Sequence, residues 1–198
     1  MSNALIVIDV QNDFCPGGAL AVPEGDQIVP GINALIAEFD TVVLTQDWHP
    51  AGHSSFASSH NGKSAYELID MPYGPQVLWP DHCVQGSNGA ALHVDLNVTR
   101  ANMIIRKGMN PEIDSYSAFF ENDQKTPTGL HGYLKGLGVS ELTMVGLATD
   151  FCVQFSALDA ARLGFNVNLR QGLCRAIDLD GSLATAEKAM DDAGISRI

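Results

Sequence analysis

The sequence predicts an α/β fold of three layers, with a central parallel sheet of about six strands and helices on both faces. Short apolar runs rich in β-branched residues recur along the chain, and they are nearly continuous, as in strands buried on both sides. Amphipathic segments separate most of these runs, and this alternation is typical of a parallel sheet. No linker, charge block or repeat interrupts the 198 residues, so we expect a single domain over residues 1–198.

The individual elements follow from these two patterns. Apolar β-branched runs predict strands over residues 4–9, 41–46, 102–107, 142–147 and 165–170. Apolar residues at helical spacing predict helices over residues 28–39, 126–138, 151–164 and 181–194. Two segments, 10–27 and about 47–92, are too long to be simple connections. Such loops in a small domain are usually functional or disordered, and the aromatic content of these two favours functional loops.

Composition excludes several classes of partner. The formal net charge is −12, which disfavours a nucleic-acid partner. No apolar run reaches 18 residues, so no membrane span is expected. The first residues lack the basic start and the cleavage signal of a secretory peptide, which indicates a cytoplasmic protein. The four cysteines, at positions 15, 83, 152 and 174, show no paired spacing, and we interpret them as reduced thiols.

Ionisable residues follow four of the predicted strands. Asp9 ends the first strand, Asp47 and His49 follow the second, Lys107 ends the third, and Cys152 lies just after the fourth. Ligands of open parallel sheets bind outside the carboxyl ends of the strands. The sequence therefore predicts that an acid, an acid–imidazole pair, an ammonium and a thiol meet at one edge of the sheet.

Cys152 is interpreted as a nucleophile. A lone cysteine is more often a buried structural residue, but this one begins a predicted helix, whose N-terminus stabilises a thiolate. A nearby Lys107 ammonium is expected to lower the thiol pKa further. If Asp9 comes within hydrogen-bond reach, it could take the thiol proton and return it to a leaving amine. Backbone N–H groups of the turn before Cys152 could stabilise an oxyanion.

Asp47 and His49 indicate a metal site. Residues at positions i and i+2 of an extended segment project to the same side, and a carboxylate with an imidazole suits Zn²⁺, Fe²⁺ or Mn²⁺. A hydrogen-bonded loop turn is the alternative. A third ligand is needed, and the candidates are His53, His60 and His82, with Asp81 and Cys83 beside the last.

Five segments together resemble the nicotinamidases, also called pyrazinamidases, of the isochorismatase-like cysteine hydrolase family. They read IDVQNDFCPGGALAV (8–22), TQDWHPAGHSSF (45–56), WPDHCVQGS (79–87), RKG (106–108) and VGLATDFCV (145–153). The resemblance runs from about Ala4 to Gly172. It implies the same sheet of about six strands, and it implies hydrolysis of nicotinamide, or of analogues such as pyrazinamide, to nicotinate and ammonia through a cysteine thioester.

The resemblance also implies roles for individual residues. It makes Asp9, Lys107 and Cys152 the catalytic triad, and it places an oxyanion hole at the N–H groups of Ala148 and Cys152, after a cis peptide between Leu147 and Ala148. The metal ligands it implies are Asp47, His49 and His82, with His53 as a possible further ligand or a supporting partner. The substrate-binding residues it implies are Phe14, Trp79, Tyr116 and Leu147. One divalent metal ion is expected, zinc first, with iron or manganese also compatible.

Three other functions compete with this one. Relatives that hydrolyse another amide, such as an N-carbamoyl or ureido compound, keep the triad but often lack the metal motif. Relatives that cleave isochorismate lack the cysteine, so Cys152 excludes them. A non-enzymatic zinc or redox module would need four closed ligands or paired cysteines, which the sequence does not offer. A small-molecule substrate is therefore expected, and the oligomeric state is not readable.

Overall fold

A six-stranded parallel sheet forms the centre of the protein in the computed structural model, which describes residues 2–198. Its strands are β1 (Ser2–Ile8), β2 (Val42–Asp47), β5 (Met103–Lys107), β6 (Val139–Leu147), β7 (Asn166–Arg175) and β8 (Ser196–Arg197). They lie in the order β5-β2-β1-β6-β7-β8. A separate antiparallel hairpin consists of β3 (Leu68–Met71) and β4 (Gly74–Val77).

Helices cover both faces of the sheet, as the sequence predicts. They are α1 (Val29–Ile36), α2 (Leu130–Gly136), α3 (Gln154–Arg162) and α4 (Ser182–Asp192). Alternate residues of β1 point to opposite sides: Ile6 packs in a core with side chains of α2, α3 and α4, and Val7 packs in a second core with α1. Burial on both faces explains why the strands have continuous apolar sequences.

Several element boundaries differ from the sequence prediction. The helix expected over 126–138 begins only at Leu130, because Thr126 is held in a turn by the side chain of Asp123 and Gly129 is left-handed. The helix expected over 151–164 is preceded by a π-helical turn, Thr149–Val153, and α3 itself starts at Gln154. The strand β8 and the β3–β4 hairpin were not predicted, because β8 has two residues and the hairpin strands are half exposed.

The sheet brings its carboxyl ends to one edge, where the long loop segments also lie. Gly146 of β6 stands opposite Ile8 of β1 with φ of +121°, and a Cβ added there would lie 2.1 Å from the Ile8 carbonyl oxygen. Only glycine permits this approach. Within residues 2–198, no helix is long and apolar enough to cross a membrane.

Candidate active site

The register of the sheet brings three of the predicted site residues together, Asp9, Asp47 and Lys107. Asp47, the last residue of β2, is directly opposite Lys107, the last residue of β5. Asp9 follows β1, the strand on the other side of β2, and adopts a left-handed backbone with φ of 46°. All three side chains are buried. Their convergence follows from three parallel strands that end at one level.

Lys107 is the centre of this polar cluster. Its Nζ lies 2.9 Å from Asp9 Oδ2, 3.1 Å from Asp47 Oδ1 and 3.4 Å from Cys152 Sγ. It also donates to the carbonyl oxygen of Ser115 at 2.8 Å. Burial alone would lower the pKa of Lys107, but the two carboxylates hold it well above its ordinary value. The ammonium therefore stays charged and contacts Cys152, Asp9 and Asp47 together.

Cys152 lies in the π-helical turn that connects β6 to α3. Burial raises the pKa of its thiol well above the ordinary value, and the Lys107 ammonium opposes this effect only in part. Lys107 lowers the pKa of the Cys152 thiol as predicted, but the net lowering expected from the sequence is wrong for the free protein, because burial outweighs the ammonium and the depth of burial depends on tertiary packing. A thiol of this kind needs a base to remove its proton before it can attack.

Asp9 has the properties of such a base. Burial raises its pKa above the ordinary carboxyl value of 3.8, against the influence of Lys107. The hydroxyl of Thr45 donates to Asp9 Oδ1 at 2.5 Å and accepts from the Asp9 backbone N–H at 3.0 Å. The Thr45 hydroxyl also lowers the pKa of Asp9. A raised carboxyl pKa makes Asp9 better able to hold a proton during a reaction.

Asp47, His49 and His82 form a cluster that could hold a metal ion, with ligand atoms within 4.8 Å of one another. The Nε2 atoms of His49 and His82 lie 3.1 and 3.4 Å from Asp47 Oδ2. Each Nδ1 instead lies against a backbone carbonyl, Gly108 O at 2.9 Å and Pro80 O at 2.8 Å. These contacts assign the proton to Nδ1 and turn both Nε2 lone pairs toward the centre. The donor set fits a divalent cation.

The other histidine candidates have partners of their own. His53 Nδ1 accepts from the backbone N–H of Ser55 at 3.1 Å, and its Nε2 lies 2.8 Å from the carbonyl oxygen of Asn110. Its ring lies 4.3 Å from that of His49, between centroids, and His53 forms a second group with His49 and Asp114 that could hold a metal ion. His60 Nε2 lies 2.7 Å from the Ser54 carbonyl oxygen.

The two residues beside His82 also point elsewhere. Asp81 accepts a hydrogen bond from the Ser58 hydroxyl at 2.5 Å. The Cys83 sulfur accepts one from the Gln11 amide at 3.4 Å. Neither side chain belongs to the cluster of Asp47, His49 and His82.

A cavity lies between Cys152 and the cluster of Asp47, His49 and His82. Its walls include three of the predicted substrate-binding residues, Phe14, Trp79 and Tyr116. Leu147 is buried and does not line it, although the peptide bond between Leu147 and Ala148 is cis, as the resemblance implies. The full lining is Phe14, Leu20, Asp47, Trp79, His82, Asp114, Tyr116, Ala148, Phe151, Cys152 and Ile177.

Sequence reasoning missed three polar residues at the site. Thr45 is an internal residue of β2 and Gln76 an internal residue of an unpredicted strand, so neither occupies a strand end. Asp114 lies in a loop, lines the cavity, and has its Oδ1 3.9 Å from His49 Nε2. A search for polar residues within otherwise apolar strands would have found Thr45.

A buried thiol, carboxylate and ammonium beside a metal-binding cluster, at the carboxyl edge of a parallel sheet, define a cysteine hydrolase site. The family model for the isochorismatase domain matches residues 3–195. The chain belongs to the isochorismatase-domain family.

Several known proteins similar to this chain are named as nicotinamidases or pyrazinamidases. A nicotinamidase from Acinetobacter baylyi is 55% identical over 195 residues, which cover 98% of this chain and 91% of that protein. The structure of a nicotinamidase/pyrazinamidase from Acinetobacter baumannii has a TM-score of 0.98 and 53% identity, over 100% of this chain and 95% of the other. A pyrazinamidase from Pyrococcus horikoshii in complex with zinc has a TM-score of 0.80 and 37% identity, over 100% and 99% of the two chains.

Proposed function

We propose that this protein is a nicotinamidase, which hydrolyses nicotinamide and analogues such as pyrazinamide to the carboxylic acid and ammonia. The observation that carries the proposal is the position of Lys107, whose ammonium contacts Asp9, Asp47 and Cys152 at once. The names of the similar proteins support the same reaction. A neutral substrate also suits a protein with a net charge of −12.

The cavity suits a small flat amide. Its aromatic walls, Phe14 and Trp79 among them, can enclose a heteroaromatic ring. Cys152 lies at one side of the cavity and the metal-binding residues Asp47 and His82 at another. A ring with a carboxamide on one side and a ring nitrogen on the other can therefore reach both groups.

The proposed reaction proceeds through a thioester. Asp9 takes the Cys152 proton as the sulfur forms a bond to the carboxamide carbon, and the N–H groups of Ala148 and Cys152 stabilise the oxyanion. The C–N bond breaks, and Asp9 gives its proton to the departing ammonia. Water then attacks the thioester and passes a proton to Asp9. The C–S bond breaks, the carboxylic acid leaves, and the proton returns to the sulfur.

Asp47, His49 and His82 are proposed to hold one divalent cation, with zinc first because a similar pyrazinamidase is known in complex with zinc. A bound cation supplies a Lewis-acid contact for the ring nitrogen and so helps to orient the substrate. His53 is proposed to support His49 rather than to bind the cation. We also propose a cytoplasmic location, in keeping with four free and buried cysteines.

A second candidate is the hydrolysis of another amide or ureido compound by the same triad. A panel of nicotinamide, pyrazinamide, a linear N-carbamoyl amino acid and a ureido acid separates the two. We expect kcat/KM for nicotinamide to exceed that for the N-carbamoyl and ureido compounds at least about a hundredfold, because those lack a ring for the aromatic walls. A preference for a non-aromatic amide would contradict nicotinamide as the substrate. It would still be compatible with the proposed thiol chemistry.

A further inference from the structure

Gln76 is a fully buried polar residue in the β3–β4 hairpin, outside the cavity. It lies on β4, whose other three residues are at least partly exposed. A buried amide costs free energy unless its donors and acceptors are paired. Its hydrogen bonds therefore explain why glutamine is suitable at this position.

The Gln76 amide holds two residues of the cavity wall. Its Nε2 lies within hydrogen-bond distance of three acceptors, Asp114 Oδ2 and the Val77 carbonyl oxygen at 2.8 Å and the Tyr116 hydroxyl oxygen at 2.9 Å. Its Oε1 accepts from the Tyr73 hydroxyl and from Asn122 Nδ2, both at 3.2 Å. The acceptor contacts fix the amide in one orientation and thereby point Nε2 toward the cavity wall.

Tyr116 connects Gln76 to the other aromatic residues that line the cavity. Its hydroxyl oxygen also accepts from Trp79 Nε1 at 3.1 Å. Phe151 packs edge-on against both, with ring centroids 4.8 Å from Trp79 and 5.7 Å from Tyr116. We call Trp79, Tyr116 and Phe151 the aromatic wall. The Tyr116 hydroxyl oxygen thus accepts hydrogen bonds from the side chains of both Gln76 and Trp79.

We propose that Gln76 is a positioning residue that fixes the aromatic wall through the Tyr116 hydroxyl, and so sets how tightly the ring of the amide substrate is bound. The inference rests on the proposed nicotinamidase function. Gln76 does not line the cavity or contact the reacting groups, so its effect falls on ring binding and not on the thiol chemistry. Through Gln76, the β3–β4 hairpin contributes to substrate specificity, although it is distant in sequence from Asp9, Lys107 and Cys152.

The experiment is steady-state kinetics of Gln76→Met, which keeps the length of the side chain and removes the amide. We expect KM for nicotinamide to rise about tenfold and kcat to stay within about twofold, the pattern of lost ring binding. In a Tyr116→Phe background the same change should raise KM by no more than about twofold, because the Tyr116 oxygen that Gln76 holds is gone and the contact with Asp114 is the one wall contact left to lose. An unchanged KM in the single variant, or fully additive effects in the double variant, would overturn the inference.

Ile69→Ala is the matched control, since Ile69 is the cross-strand partner of Gln76 and makes none of these hydrogen bonds. Ile69→Ala shortens a hairpin side chain and leaves the hydrogen bonds of Gln76 in place. An equal rise in KM in this variant would show that Gln76→Met raises KM only because it destabilises the hairpin. If Gln76→Met does not fold, Gln76→Asn is judged by the same criteria, since it keeps an amide but withdraws it from Tyr116. Absence of nicotinamide turnover in the unaltered protein would instead contradict the proposed function.

Discussion

At the scale of single residues, the chemistry depends on how buried charges are balanced around Lys107. Two carboxylates and a thiol, all of them buried, contact one ammonium. The sequence predicted which residues meet, because strand ends of a parallel sheet share an edge. It could not predict the pKa of Cys152, because burial depends on how the loops close over the site. It also missed Thr45, whose position within a strand resembles that of a core residue.

Thr45→Val should move the acid limb of the pH–rate profile to higher pH. Asp9 must be deprotonated to act as a base, so kcat/KM falls as the pH drops through the pKa of Asp9. The Thr45 hydroxyl lowers that pKa, and its removal raises it, so activity is lost at a higher pH. Thr143→Val, an isosteric change in the buried part of β6 away from Asp9, is the control. An acid limb that stays in place would contradict the role of Thr45.

Lys107→Met should destabilise the fold as well as abolish activity. It leaves the carboxylates of Asp9 and Asp47 buried without their cation, and breaking a buried pair in this way costs about 3 kcal/mol of unfolding free energy. Urea denaturation measures the loss. Lys188→Met, which removes an exposed pair with Asp192, should cause no measurable change. Equal stability of the two variants would show that the ion pairs around Lys107 contribute little.

At the scale of secondary-structure elements, the sequence predicts most strands of the sheet. It does not predict the turns and the hairpin that lie between them. Continuous apolar runs such as 142–147 identify strands that tertiary packing then extends, here to Val139–Leu147. The π-helical turn that carries Cys152 and the β3–β4 hairpin have no such signal, because both depend on contacts with distant loops. The part of the site that these elements position, Tyr116 and Trp79 above all, was assigned from the resemblance alone.

Gly146→Ala should be strongly destabilising. The added Cβ would meet the Ile8 carbonyl oxygen at 2.1 Å, and φ of +121° is unfavourable for alanine, so we expect a loss of about 3 kcal/mol. The control is Gly136→Ala in α2, where a Cβ meets nothing within 4 Å. That change should stabilise the protein by about 0.5–1 kcal/mol. Thermal unfolding compares them, and similar melting temperatures would contradict the close approach of β1 and β6.

At the scale of the whole molecule, three loop segments and the ends of four strands, β1, β2, β5 and β6, have to meet for the site to exist. The strand order β5-β2-β1-β6-β7-β8 cannot be read from the sequence, since parallel strands can be arranged in many orders. The metal-binding cluster joins β2 to the distant His82 segment. A bound cation should therefore contribute to the stability of the entire fold.

Removal of the metal should lower the melting temperature and abolish activity. A ligand present at a hundredfold excess over its Kd stabilises the folded state by about 2.7 kcal/mol, and added Zn²⁺ should restore the loss. In His82→Asn, chelation should no longer change the melting temperature. His93→Gln, outside the cluster, should behave like the unaltered protein. A melting temperature insensitive to chelator in the unaltered protein would contradict a bound cation.

The most direct test of the account is ammonia release from nicotinamide by the purified protein, measured beside Cys152→Ala and Cys174→Ala. Cys174 is also a buried thiol, with a pKa raised to about 12 by burial, and it is not among the residues that line the cavity. The account predicts release by the unaltered protein and by Cys174→Ala, and none by Cys152→Ala, which should still bind nicotinamide. Sustained release by Cys152→Ala would contradict the thioester mechanism, and no release by the unaltered, metal-loaded protein would contradict nicotinamide as the substrate.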